Sequence, residues 1–293
     1  MVESKTAGDR IFVVVNYLIL TLILLLTLYP CWYVIVASVS DPVKLYAGSK
    51  FMVWPRGFSV QAYEIILQHA MLWRSYGNTL LYVSLSTVSG LIMTTLGAFV
   101  LSRKYLPGKN VLLMMVTITM FFSGGLIPSY LVNVQLGLVN TIWSMVLPGM
   151  ISTYNMIMML TYFRGIPDSL EESARIDGAN DFIILTRIIV PLSLPVIAVI
   201  ALYIIVANWN SYIPATIYLR DRDLYPLQVI LREILISGSS NLDQMTSGYD
   251  DFAAYSEAVK YATIIVSTLP VLVAYPFLQR FFVKGVMLGA IKG

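Results

Sequence analysis

Cysteine and histidine are nearly missing from this 293-residue sequence, where Cys31 and His69 each stand alone. One cysteine excludes an intramolecular disulfide and any Cys-based metal site. A lone histidine beside Gln68 reads as a surface residue rather than a metal ligand. Charge is scarce as well. Asp, Glu, Lys and Arg make up only 12% of the chain, about half of the ~25% usual in a soluble domain. Hydrophobic residues reach 58% and the mean hydropathy is +0.76, so lipid is the expected solvent. The formal net charge of +3 is mild, and no basic stripe interleaves with aromatics, which excludes a nucleic-acid partner.

Energy-coupling and catalytic motifs are also missing. No G-x-x-x-x-G-K-[ST] loop occurs to cradle nucleotide phosphates. Gly108-Lys109 is followed by Asn110 and lacks the upstream glycine. No metal-ligand cluster or nucleophile–base pair stands out. The sequence therefore predicts no catalytic residue, no metal and no cofactor on this chain. Active transport, if it occurs, would draw its energy from a partner.

What is present is a set of long apolar runs. A spanning helix needs about 20 mostly apolar residues, and six stretches qualify: Ile11–Ser38, 76–101, 111–133, 141–163, 188–208 and 262–279. The first, about 28 residues, is too long for the ~7–15-residue core of a secretory signal and reads as a retained span. None of the six contains Asp, Glu, Lys, Arg or His. That argues against an ion-coupled carrier, which places an ionisable residue in the membrane. Asn16, Asn78, Asn155 and Asn208 remain as uncharged polar groups, suited to interhelical hydrogen bonds or to a path for a hydroxyl-rich solute. Gly124, Gly125, Pro128 and Pro148 interrupt the third and fourth runs. Breaks at membrane depth are tolerated only against protein or a wet cavity, so these two runs should face protein or a pathway. Pro191 and Pro195 predict a kink at the fifth, either a static bend or one that positions a gate.

Loop charges predict the orientation. Lys5, Arg10, Arg103, Lys104, Lys109, Arg164, Arg175, Arg187, Arg280, Lys284 and Lys292 fall densely at one set of ends. Lys44, Lys50, Arg56, Arg74, Arg220, Arg222, Arg232 and Lys260 are spread over longer segments at the other. The denser set should be cytoplasmic, with both termini inside. The first external segment, 39–75, then holds a short amphipathic helix capped by Ser59, with Tyr63, Ile66, Leu67 and Ala70 on one face. The second external segment, 209–261, is long. Its stretch 237–251 is rich in Ser, Gly, Asn and Asp and reads as an exposed loop. Asn208, Trp209, Asn210 and Tyr212 lie where the fifth span meets the outside. An aromatic beside amides suits a sugar, and equally suits an interfacial anchor.

The cytoplasmic segment 167–187 is the most informative. Asp168 with Glu171 resembles a capping box after Pro167. Gly178 can end the helix in a left-handed turn, and Asn180 or Asp181 can cap the next one. Leu170 and Ala174 give the short helix an apolar stripe, and Ala174 is small enough for close approach of another protein. A solvated linker and a lever held between two spans are both compatible with this pattern.

The same segment resembles the signature loop of permease subunits in ATP-binding-cassette importers, written E-A-A-x3-G-x9-I-x-L-P. Glu172-Ser173-Ala174, Gly178 and Ile188-Ile189-Val190-Pro191 match its spacing, with Ser173 for Ala and Val190 for Leu. Asp177-Gly178-Ala179, Pro191 with Pro195, Asn208-Trp209-Asn210, and the ending Phe282-Val283-Lys284-Gly285 through Gly289-Ala290-Ile291-Lys292-Gly293 resemble the carbohydrate-importer branch, of the kind of the smaller maltose permease. The resemblance implies an all-α membrane fold of the type I importer kind over 1–293, located in the cytoplasmic membrane. It implies a second permease subunit, two ATPase subunits that hold ATP and Mg, and an extracytoplasmic sugar-binding protein. Asp168, Leu170, Glu171, Glu172, Ala174, Asp177 and Gly178 would form the ATPase-coupling helix, with Lys292 and Gly293 of the tail also reaching the ATPases. Arg220, Arg222, Tyr225 and Arg232, with the loop 237–251, would meet the binding protein.

Overall fold

A computed structural model describes residues 7–49, 51–236 and 252–290. Among the described residues helices are the only regular secondary structure, apart from an isolated bridge between Ser40 and Phe58. The helices are α1 (Ala7–Ser38), α2 (Pro42–Ala47), α3 (Gln61–Leu67), α4 (Leu72–Ser102), α5 (Lys109–Phe121), α6 (Leu126–Gln135), α7 (Trp143–Val146), α8 (Thr153–Arg164), α9 (Asp168–Ile176), α10 (Asp181–Leu192), α11 (Leu194–Trp209), α12 (Ile213–Tyr218), α13 (Leu227–Ile236) and α14 (Phe252–Ala290).

Spans differ from the sequence expectation in continuity. Among the described residues three helical stretches are long and apolar enough to cross a membrane: Ile11–Ser38, Leu72–Ser102 and Ala254–Val273. The number rises to five when α5 with α6 and α10 with α11 each count as one bent span. The fourth expected run, 141–163, is not a continuous helix. Pro148 lacks the N–H the ladder needs, so α7 stops at Val146 and α8, twelve residues long, restarts at Thr153 behind a Ser152 cap. The third run turns by 113° between α5 and α6, where Gly125 takes φ +84°, open to glycine and strained for other residues. The fifth turns by 81°. Pro195 sits in the first turn of α11 and Pro191 is the last residue but one of α10, and the chain relieves their missing donors through a π turn at Leu185–Ile189 and a break at Ser193.

By its contacts the chain divides into two compact units, Met1–Ala70 with Leu231–Leu269 and Met71–Ile230 with Pro270–Gly293. In the first unit the 28-residue apolar stretch of α1 has no buried residue in its most apolar window, a surface suited to lipid or another chain. Asp41 caps α2 by accepting from the Val43 and Lys44 amides at 3.1 Å. The short helix after it is α3, and its details differ from the expectation. Val60, not Ser59, occupies the cap position, and Ala62, Ile65 and Ile66 are the buried side while Leu67 and Ala70 are exposed. Tyr63 is half-buried and donates to Ser38 Oγ at 2.7 Å.

The second unit carries the larger core. Phe99 of α4, Met159 and Phe163 of α8, Ile184 and Ile189 of α10 and Ile200 of α11 pack together. The inner side of α4 is built of small residues, Ser75, Thr79, Ser86, Gly90, Thr94 and Ala98, at helical spacing. Small residues let membrane helices approach closely; a Cβ at Gly90 would lie 3.1 Å from Ile204 and from the Met150 carbonyl. A second cluster joins Tyr82, Met145, Ala215, Leu219 and Val229. It draws the first part of the segment after α11 onto α4. Leu227 N donates to Thr79 Oγ1 at 2.8 Å and Tyr82 OH to the Leu224 carbonyl at 2.7 Å. The loop expected over 237–251 lies outside the described residues.

Candidate functional site

Helix α9 joins α8 to α10, and three consecutive residues after α4 hold it. Arg103 has a side chain only 7% exposed and pairs with Glu171, itself 18% exposed. The same guanidinium lies 4.1 Å over the Phe99 ring and donates through Nε to the Phe99 carbonyl at 3.2 Å. Lys104 pairs with Asp168 at the start of α9. Tyr105 donates to Asp181 at 2.9 Å, Arg175 pairs with the same carboxylate, and Arg175 Nη2 donates to Tyr105 OH at 3.2 Å. Lys109 then donates to the Ser102 and Arg103 carbonyls at 3.1 and 3.0 Å, fixing the turn that carries the three residues. The Lys104 ammonium is pushed above the ordinary lysine value, first by its hydrogen bond to Asp168. Arg175 is likewise raised, first by its hydrogen bond with Tyr105. Both cations therefore stay charged through the neutral range.

This arrangement corrects the capping-box reading. Pro167 occupies the cap position of α9 and no side chain caps it. Asp168 and Glu171 serve instead as anchors, because a guanidinium and an ammonium from α4's end offer them stronger, charge-assisted partners than a backbone amide does. The end of α9 follows the expectation. Gly178 takes φ +83°, its N–H donates to the Arg175 carbonyl at 3.0 Å, and Ala179 N–H to the Ala174 carbonyl at 2.9 Å. This is the paired closure of a Schellman motif. A Cβ at Gly178 would touch nothing within 4 Å, so a side chain there would cost only backbone strain, about 1–2 kcal/mol. Asn180 Oδ1 then accepts from Ile183 N at 2.9 Å and caps α10.

The two faces of α9 have separate tasks. At 3.6 residues per turn, Pro167, Glu171, Ala174 and Gly178 share one side, and Ser169, Glu172, Ser173 and Ile176 the other. Ala174 packs against the chain's own core together with Ile166 and Ala179. Its small size suits this internal packing. Glu172, Asp177 and Gly178 are exposed, as is Leu170. Ile176, which sequence reasoning passed over, is 87% exposed. The signal for it was an isoleucine on the face of a charged nine-residue helix opposite Ala174. Arg103 was seen only as a loop charge, and nothing local pointed to its burial. Lys292 and Gly293 lie outside the described residues.

The other expected residues are placed differently. Trp209 is 6% exposed, its ring centroid 6.4 Å from that of Tyr76. Asn208 and Asn210 donate to the Ile204 and Val206 carbonyls one turn back, at 2.9 and 2.8 Å. Tyr212 packs against the second cluster. Those four residues close the end of α11, with Asn210 exposed and Asn208 and Tyr212 half-buried. Arg220 and Arg222 are exposed on a short connection, Tyr225 is half-buried against the second cluster, and Arg232 is exposed on α13.

The connection that carries Arg220 has an unexpected organiser. Asn140 adopts φ 61° and its Oδ1 accepts from both Arg220 N and Asp221 N, at 2.9 and 2.8 Å. Asparagine tolerates this backbone where alanine is strained. Asn140→Ala is expected to lower stability by about 1–2 kcal/mol through strain and two lost acceptor contacts. Asn140→Asp, which keeps the acceptor, should melt close to the parent. Thermal unfolding in detergent checks this, and equal melting of all three would refute the role.

Several known proteins are similar to the chain. The family of binding-protein-dependent transport system inner membrane components matches residues 83–288. The polygalacturonan/rhamnogalacturonan transport system permease protein YtcP of Bacillus subtilis (strain 168) is 39% identical over 285 residues, 97% of this chain and 99% of that protein. Protein LplC of the same organism is 36% identical over 292 residues, 99% of this chain and 97% of that one. Among solved structures, a bacterial ABC transporter involved in the import of the acidic polysaccharide alginate contains a chain that superposes with TM-score 0.89 at 33% identity, covering 94% of this chain and 98% of that one.

Proposed function

This chain belongs to the family of binding-protein-dependent transport system inner membrane components, and from that premise we propose that it is the permease subunit of an ATP-driven oligosaccharide importer. It pairs with a second permease in the cytoplasmic membrane, with both termini inside. Two ATPase subunits, which hold ATP and Mg, dock beneath it, and an extracytoplasmic sugar-binding protein delivers the substrate. Its relatives in polygalacturonan, rhamnogalacturonan and alginate transport support a hydroxyl-rich saccharide, acidic ones included. No lysine or arginine lies in the six apolar runs, so acidic groups are met by loops or partners.

One observation carries the coupling role. Helix α9 is clamped on one face by Arg103 and Lys104 and leaves Ile176, Glu172 and Ser173 uncovered on the other. A rigid element with an apolar residue in the open is built to receive a partner and to pass its movement to α4, α8 and α10. The exposed Arg220 and Arg222 support contact with the binding protein on the opposite side.

The test is reconstitution. The chain, expressed with its sister permease and ATPase, should co-purify with both. ATP hydrolysis in liposomes should rise when binding protein loaded with oligogalacturonide is added outside. A complex that hydrolyses ATP at the same rate with loaded and empty binding protein, and takes up no sugar, overturns the reading.

A further inference from the structure

Helix α1 changes surroundings along its length. From Ile11 to Leu28 every residue is exposed, on all sides of the helix, whereas Val36, Ala37 and Ser38 at its end are buried. The 28-residue apolar run Ile11–Ser38 measures about 42 Å at 1.5 Å per residue. It still measures about 39 Å at the ~20° tilt usual for spanning helices. The hydrocarbon core is only ~30 Å thick. A run that starts behind Asp9 and Arg10 therefore leaves the hydrocarbon about 21 residues on, near Cys31. Tyr29, Trp32 and Tyr33 stand at that level, where spanning helices carry their aromatic belts.

Residues 51–54 come back to the same level. Met52 N donates to Tyr29 OH at 3.2 Å, Trp32 Nε1 donates to the Val53 carbonyl at 2.9 Å, and the Phe51 ring stacks on Tyr29 with centroids 5.2 Å apart. The chain then climbs again. Arg56 N donates to Ser40 Oγ at 3.2 Å, and Phe58 bridges to Ser40 beyond the end of α1. Phe51-Met52-Val53-Trp54-Pro55 carries no charge. Met52 is buried, while Phe51 and Trp54 are 70% and 75% exposed. Unpaired backbone is costly near lipid, and here side chains meet it. Besides the two bonds to α1, the Phe51 carbonyl accepts from Ser49 Oγ at 3.2 Å and from Arg56 Nη2 at 3.4 Å. Large open aromatics on an uncharged segment, tied to the belt of an all-round exposed helix, continue that helix's lipid-facing surface.

We propose that residues 51–54 form a strap on the outer leaflet of the cytoplasmic membrane, in which Phe51 and Trp54 insert among the phospholipid headgroups. The strap takes its side of the membrane from the topology above, with both termini inside. Phe58 is as open, at 78% exposure, but it lies level with the chain just past Ser38, about 12 Å along the helix from Pro30, and stays in water.

The experiment uses the complex in phosphatidylcholine nanodiscs, with cysteine-free partner subunits and Cys31→Ser in this chain, whose only cysteine it removes. Bimane is attached to Trp54→Cys or to Phe58→Cys. Phosphatidylcholine brominated near the headgroup should quench the probe at position 54 at least about threefold more than the probe at 58, and aqueous iodide at least about threefold less. Should Trp54→Cys fail to accumulate, Phe51→Cys is read in its place with the same expectation. Iodide quenching at 54 equal to that at 58 overturns the strap. So does a probe at 54 that neither quencher reaches, which would place the segment against the sister permease. In intact cells a membrane-impermeant maleimide should modify Phe58→Cys from outside. Modification only after permeabilisation overturns the topology, and the outer leaflet with it, whatever the lipid quenching shows.

Discussion

Ile176→Asp is expected to abolish binding-protein-stimulated ATP hydrolysis and sugar uptake, by at least about a hundredfold, while the chain inserts and folds as before. Ile176 is 87% exposed on α9, so the change removes no internal contact, and such surface changes usually stay within ~0.5 kcal/mol. In a docked complex the balance is different. Covering an isoleucine stabilises by about 1.5–3 kcal/mol, and enclosing an unpaired carboxylate costs more again. A combined loss above ~3 kcal/mol exceeds two factors of ten in affinity. The measurements are co-purification of the ATPase and hydrolysis by the reconstituted complex. If the Asp variant binds its ATPase and transports at the parent rate, the outward face of α9 is not the docking surface.

Arg103→Ala is expected to reduce sugar-dependent hydrolysis at least about tenfold through a different route. Arg103 is buried, fixes Glu171 and stacks on Phe99. Removing one member of a fully buried pair costs about 3–5 kcal/mol. The 18% exposure of Glu171 lowers that figure, yet a loss of ~1.4 kcal/mol in the correctly held helix already gives tenfold. The control is Arg103→Met with Glu171→Leu. Replacing both charges by apolar groups is often neutral or stabilising, so the double variant should recover much of the activity that Arg103→Ala loses. Recovery identifies a mechanical clamp, since a docking contact of Glu171 with the ATPase would be lost in the double variant. Parent-like activity in Arg103→Ala would show that the clamp is idle.

Most of the local plan of α9 could be read from the sequence. Gly178 is where the chain turns left-handed, Asn180 is the next cap, and the two prolines of the fifth run do coincide with a bend. Each of these depends on the backbone within four or five residues, which is the reach of residue type and spacing. The capping box failed for the converse reason. Asp168 and Glu171 sit at capping spacing, but their partners Lys104 and Arg103 are 64 and 68 residues away, and charge-assisted pairs outcompete a cap.

The sequence by itself determined a helical chain built for lipid, the absence of a nucleotide loop, and the position and length of the helix outside the spans. All of these follow from composition and short-range periodicity. Only the tertiary structure decided which way that helix faces, with Ala174 inward and Ile176 outward, because a helix's orientation is set by what packs against it. It alone turned the third run by 113° and split the fourth. Glycine and proline permit a break, but the angle depends on the neighbours that satisfy the freed backbone. And it alone buried Arg103 against Phe99 and Glu171, since burial is a property of the assembled helices and no pattern along the chain encodes it.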